Sequence, residues 1–182
     1  MKNIIYTLIG IVVFALSAQP VLAASPQVSD ASAHPNFPVQ NEDERVVRLK
    51  IYLETHNSPL ADSAGHFVSE ADRLGLDWKL VAAIAGVEST FGKHIPANSY
   101  NGWGWGVFTG MSDGIHFVSW NDGITKVSEG LRYRYVDKGA GSVEQIGRIY
   151  AASPVWSAKV QFFLQKIEKF EPNRVDHLAV TI

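Results

Sequence analysis

Between Asp77 and Thr90 the chain has no proline, a single glycine, and side chains that are apolar or small on nearly every side. Asp77 is a natural N-cap, with Trp78 as the first helical residue. At about 100° per residue, Leu80, Ile84, Val87 and Phe91 form an apolar stripe with Val81 at its edge, while Ala82, Gly86 and Ser89 form a narrow opposite side. A helix greasy on one face and small on the other is expected to be covered on both. Any fold of this chain therefore has this helix at its centre, with other elements around it.

One residue conflicts with that environment. Glu88 lies four residues after Ile84 and seven after Val81, so the spacing projects its side chain into the apolar stripe. A carboxyl that loses hydration there is disfavoured in its charged form, and its pKa rises. A carboxylic acid that keeps its proton near neutral pH is able to give it to a leaving oxygen. The competing placements are a surface glutamate at the helix end, or a partner for Lys93 or an arginine.

The helix runs into a Gly/Trp-rich segment, NSYNGWGWG, residues 98–106. Glycine permits close backbone approach and unusual φ. Tyr100, Trp103 and Trp105 are candidates to pack on sugar rings, whose axial C–H groups suit aromatic faces. One tryptophan is expected to point inward and one toward a cleft. Asn101 is a candidate to read an acetamido group. Ser89 is a candidate to bond Glu88 or a helical carbonyl.

The rest of the chain reads as helices. Lys2 followed by the apolar run Ile4–Ala18, with Val21-Leu22-Ala23 behind Pro20, has the layout of a secretory signal peptide over residues 1–23. Residues 24–44, rich in Ser, Ala, Pro and Gln, read as a disordered linker. Helices follow over Glu42–Glu54 and Leu60–Leu74, the second stopped by Gly75. Val107–Phe108 and Ile115–Ser119 are placed for a small hairpin. Asp122 is a candidate N-cap for a helix over Ile124–Val136. Ser142 with Gln145 makes a capping box for a helix through Ala151. Ser153-Pro154 opens a last helix to Phe170, and residues 171–182 form a tail. The expectation is one mainly α domain over residues 45–170.

Composition excludes several function classes. A formal net charge of −2 leaves no electrostatic footprint for nucleic acid. There are no cysteines, hence no thiolate metal site. The histidines stand at 34, 56, 66, 94, 116 and 177, without a metal-ligand spacing. No phosphate-binding glycine loop and no Gly-x-Ser-x-Gly elbow is present. No cofactor and no metal are expected. Nor is stable membrane insertion expected once the signal is removed, and a monomer is.

The segment GLDWKLVAAIAGVESTFG, residues 75–92, resembles the catalytic-helix segment of soluble lytic transglycosylases and goose-type lysozymes, in which a helix ends in Glu-Ser and the glutamate is the general acid. Later parts resemble the bacterial endo-β-N-acetylglucosaminidase family. These are the aromatic/Gly segment from Asn101 to Gly106, the helix start from Trp120 to Leu131, and the run of Tyr150, Ala151, Pro154, Trp156, Lys159 and Val160. The transglycosylase pattern Gly-x-x-Gly-Leu-Met-Gln is absent, and GWGWG stands in its place.

The resemblance spans residues 60–168. It implies a lysozyme-like helical domain with a small β-hairpin and Gly/Trp loop beside an active-site cleft. It also implies cleavage of the glycan strands of peptidoglycan by an exported protein, secreted or periplasmic. It makes Glu88 the acid and places the Tyr150 hydroxyl near the anomeric carbon or the N-acetyl group; the competing placement of Tyr150 is a core tyrosine whose one hydroxyl is satisfied within the protein. Glycoside cleavage also needs a group to handle the oxocarbenium-like centre. Asp113, Asp122 and Glu129 are the carboxylates in reach by sequence. Asp122 is better explained as a helix cap, Asp113 as a turn residue and Glu129 as part of a solvated helix face. Without that second group, the alternatives are a wall-binding module that keeps the cleft without catalysis, or a scaffold in which Glu88 is structural.

Overall fold

The computed structural model describes residues 42–106, 114–151 and 153–172. These belong to one compact unit, Val39–Ile182. The signal peptide, nearly all of the linker, Asp113, the Val107–Phe108 arm of the hairpin and most of the tail lie outside the described residues.

The described chain is mainly helical. Helix α1 spans Glu44–Thr55, with Asp43 as its cap accepting the Arg45 N–H at 2.9 Å. The helix thus starts two residues later and ends one residue later than the predicted Glu42–Glu54. A short 3₁₀ turn, Ala61–Ser63, precedes α2, Ala64–Leu74. Gly75 ends α2 in the left-handed region at φ 62°, and the Leu76 N–H reaches back to the Ala71 carbonyl at 2.9 Å. Both features match the helix stop read from the sequence.

Helix α3 is Leu80–Ser89 and starts two residues later than predicted. The Asp77 carboxylate does accept a backbone N–H, that of Lys79 at 3.0 Å, but it caps the turn leading into the helix. Leu80 to Gly86 are all buried, so α3 is covered on both faces as expected. It packs chiefly along α6, Trp156–Glu168, with α4, Trp120–Gly130, on another side.

The end of α3 corrects the predicted stripe. Phe91 is outside the helix. Thr90, Phe91 and Gly92 carry φ of 53°, 59° and 80°, which reverses the chain abruptly. Two non-glycine residues in that region are strained, at about 1–3 kcal/mol each. The reversal returns the Phe91 ring to the core, 1% exposed, edge-on to Tyr52 and Phe163 at 5.7 and 5.0 Å. Burying such a ring contributes about 1.5–3 kcal/mol and offsets part of that strain. The ring lies against Gly86, where an added Cβ would meet it at 2.7 Å.

Helix α4 begins earlier than predicted and has a different cap. Ser119 is the N-cap, and its hydroxyl accepts the Asp122 N–H at 3.2 Å. The Asp122 carboxylate instead accepts the Val118 N–H, also at 3.2 Å. Serine at the cap and aspartate in the first turn both favour a helix N-terminus, so the Asp122 assignment missed by three residues. Beyond Gly130 the helix widens into a π-helical turn, Leu131–Tyr135, and tightens again over Val136–Lys138.

Helix α5, Val143–Tyr150, carries the predicted capping box of Ser142 and Gln145. Pro154 lies just before α6, not within its first turn, and Val155 is the N-cap. The hairpin is not seen as strands among the described residues. The segment 114–117 has no regular secondary structure and is tied at two points: Ile115 N–H to the Trp105 carbonyl at 3.0 Å, and Phe117 N–H to that of Ser99 at 2.8 Å.

The Gly/Trp loop is anchored on α4. Trp103 is 0% exposed and sits where a Cβ on Gly123 would come within 2.7 Å of it. Trp105 is 9% exposed and sits where a Cβ on Gly130 would come within 2.1 Å. Residues seven apart share a helix face, so two glycines two turns apart make two sockets for two indoles.

Candidate active site

Glu88 is in the last turn of α3, and as a whole residue it is exposed. The spacing had put its side chain inside the apolar stripe; the structure puts it at the rim. Its carboxyl end is nevertheless shielded. Oε1 accepts the Trp156 indole N–H at 2.6 Å, and Oε2 lies 3.6 Å from the position a Cβ would take on Gly104. Among the described residues neither Lys93 nor an arginine is its partner: the Lys93 ammonium donates to the His56 carbonyl at 2.8 Å.

The expected direction of the Glu88 pKa holds. Burial of the carboxyl pushes it above the ordinary value of 4.5, against the opposing effects of the Trp156 N–H and the Lys159 charge. A carboxyl shifted this way keeps its proton to higher pH than a surface glutamate.

Trp156 is held by the elements around it. It is the first residue of α6, 3% exposed, and its ring stacks on Tyr150 at 4.9 Å and 24°. The Tyr150 hydroxyl donates to the Trp103 carbonyl at 2.6 Å, and the Trp103 indole donates to the Val81 carbonyl at 2.9 Å. A continuous run of contacts therefore starts on α3 and passes through the Gly/Trp loop, α5 and α6. It returns to α3 at Glu88.

This arrangement assigns the other candidates. Burial, the Glu88 charge and the Tyr135 hydroxyl together push Tyr150 well above the ordinary tyrosine value, so it stays a neutral donor. Its donor is already used on Trp103. Ser89 is buried and turned away from Glu88: its hydroxyl lies 2.7 Å from the Gly102 carbonyl and 3.1 Å from that of Ala85, and accepts the Gly92 N–H at 2.8 Å.

Asn101 is buried and its side chain is fully used. Its amide donates to the Trp105 and Ile115 carbonyls at 2.8 and 2.9 Å, and its oxygen accepts the Trp103 and Trp105 N–H groups. A side chain occupied on both ends has no donor or acceptor left for an acetamido group. Trp103 is core. Trp105 is also packed inward, between Tyr135 and Tyr150 at 6.2 and 5.8 Å, so the expected split of one indole in and one out does not occur. Tyr100 is half-buried at φ 47°, edge-on to Trp120 at 5.4 Å. The aromatic loop is thus mainly a structural brace that carries Gly104 past Glu88.

Two hollows flank this region. One, of about 520 Å³, is lined by Trp105, His116, Asp122, Lys126, Glu129 and Tyr133 among others. The second, of about 430 Å³, lies on the α3–α6 face and includes Val87, Val155, Lys159 and Phe162. Glu88 lines neither. The second is tied to it through its neighbour Val87 and through Lys159, whose charge acts on the carboxyl. Of the carboxylates considered for a second role, Asp122 is engaged by Val118, and Glu129 is not simply solvated but pairs with Arg73 at 3.1 Å. Among the described residues there is no group of three His, Cys, Asp or Glu placed to hold a metal ion. Also among them, no helix is long and apolar enough to cross a membrane.

Trp156 enters the sequence reading as an apolar-face residue of the last helix and a member of the run from Tyr150 to Val160, not as a partner of the acid. No family model matches this chain, and a search of curated proteins finds none similar to it.

Proposed function

We propose that this chain is an exported enzyme that cleaves the glycan strands of peptidoglycan, a β-N-acetylglucosaminidase or lytic transglycosylase of lysozyme-like fold acting as a monomer. Glu88 is its general acid. One observation carries the reading. At the rim of the central helix stands a carboxyl whose neutral form is favoured by burial and whose direction is fixed by a single indole donor. The resemblance of residues 75–92 to the acid-bearing helix of such enzymes supports it.

In this mechanism the Glu88 proton passes to the glycosidic oxygen as the C1–O bond breaks. The leaving sugar departs as an alcohol, and the anomeric carbon takes on oxocarbenium character. Attack by water, with loss of its proton, gives a reducing end. Attack by the sugar's own 6-hydroxyl gives an anhydro end, and either route returns a proton to Glu88. A general acid of this kind contributes about 10² to 10⁴-fold in rate. Mass spectrometry of soluble fragments from purified cell walls distinguishes the two products. Glu88→Gln is expected to abolish fragment release while leaving the fold and wall binding intact, and undiminished release by this variant refutes the assignment.

A second reading is a wall-binding module without catalysis. It is favoured by the absence, among the described residues, of a second carboxylate acting on Glu88. Binding to cell walls without clearing of their turbidity selects it.

A further inference from the structure

We propose that Trp156 is the positioning residue of the acid: its indole N–H fixes which oxygen of Glu88 carries the transferable proton, leaving Oε1 as the fixed acceptor and Oε2 as the donor beside Gly104. This inference rests on Glu88 being the general acid.

The argument is one of hydrogen-bond capacity. An indole nitrogen is a donor only, with no lone pair to offer and no second tautomer. The oxygen it meets at 2.6 Å must present a lone pair to it in both protonation states. When Glu88 is protonated, the hydrogen is excluded from the Oε1 lone pair that faces Trp156. A carbonyl oxygen is also a stronger acceptor than a carboxylic hydroxyl oxygen, so the short indole bond favours Oε1 as the carbonyl and places the hydrogen on Oε2. A histidine, amide or hydroxyl in the same place would leave the choice open, because each can also accept.

The donor is also immobile. Trp156 is 3% exposed, stacked on Tyr150, and backed by Gly147, where an added Cβ would lie 2.9 Å from the indole. Tyr150 is itself tied to Trp103. The carboxyl therefore cannot rotate to exchange its oxygens without breaking a short bond to a residue that has nowhere to go. On the other side, Gly104 at φ 60° brings loop backbone close to Oε2 without a side chain over it. Catalytic groups gain rate from such fixed orientation toward the reacting atom.

The test is an NMR titration of the full chain with labelled tryptophan indoles and glutamate carboxyls. The Trp156 indole resonance is expected to move with pH through the same inflection as the Glu88 carboxyl, and to be flat in Glu88→Gln. An indole that stays flat while Glu88 titrates in the wild type overturns the proposal, and that measurement needs no variant to fold. In Trp156→Phe the Glu88 inflection is expected to move upward, because a donor to the charged form is lost. The alkaline limb of wall-cleaving activity moves with it, and kcat falls about tenfold with KM unchanged. A purely structural tryptophan would lower stability and leave the Glu88 inflection in place. If Glu88→Gln still clears walls, the enzymatic reading fails, whereas the indole titration succeeds or fails on its own.

Discussion

The fit of Trp105 into α4 gives a sharp test of how the Gly/Trp loop is held. In Gly130→Ala the new Cβ lies 2.1 Å from the nearest carbon of the Trp105 ring and 2.7 and 3.2 Å from the next two. Ordinary carbon contacts start near 3.5–4.0 Å, so the ring must retreat by more than an ångström. It has little room, because Tyr135 and Tyr150 lie behind it. Overpacking of this kind costs about 1–3 kcal/mol, and the better helix propensity of alanine returns at most about 1 kcal/mol. The net expectation is a loss of about 1–2 kcal/mol, or a Tm lower by about 2–8 °C for a domain of this size. Urea denaturation followed by tryptophan fluorescence measures it. Trp105→Leu is destabilising alone, but combined with Gly130→Ala it is expected to show a favourable coupling energy, because the shortened side chain leaves space for the methyl group. A neutral or more stable Gly130→Ala, or additivity in the double variant, would refute the socket.

Because burial raises the Glu88 pKa above 4.5, the folded state holds this proton more tightly than the unfolded state does. The contribution is full below pH 4.5 and is lost as pH rises through the folded value. Glu88→Gln is therefore expected to gain stability relative to wild type between acidic and neutral pH, with Tm measured across that range, and a constant difference argues against it. Ser89→Ala strands the Gly92 N–H and frees the Gly102 carbonyl, which is expected to cost about 1–3 kcal/mol in urea denaturation, with Glu88 titrating as before. Tyr150→Phe keeps the stack on Trp156 but removes the bond to Trp103. Wall cleavage is expected to stay within about tenfold of wild type, and a loss approaching that of Glu88→Gln would return the hydroxyl to the chemistry.

What was legible in the sequence was mostly local. The Gly75 stop and the Ser142–Gln145 capping box are short-range geometry, set by the residues that carry them, and both are present. The burial of α3 on both faces followed from periodicity. What failed depended on partners far along the chain. Whether Asn101 faces a ligand or the core is decided by the Ile115 and Trp105 carbonyls, and spacing carries no information about them. The Trp103 and Trp105 orientations are set by Gly123 and Gly130, which in sequence look like weak points of α4 and not like sockets. Glu88 was placed on the stripe by an ideal 100° turn, yet in the last turn of α3 it stands exposed at the rim. Its partner, Trp156, is 68 residues away.

The reversal at Thr90–Gly92 has a consequence for which changes this chain tolerates. Glu88 is aimed by the rotational phase of a rigid rod, not by a pliable loop, and each residue added to or removed from that rod turns it by about 100°. A single-residue insertion between Ile84 and Glu88 would swing the carboxyl away from the indole and bring a neighbouring side chain to the rim. Length variation is thus barred from α3, whatever the inserted residue.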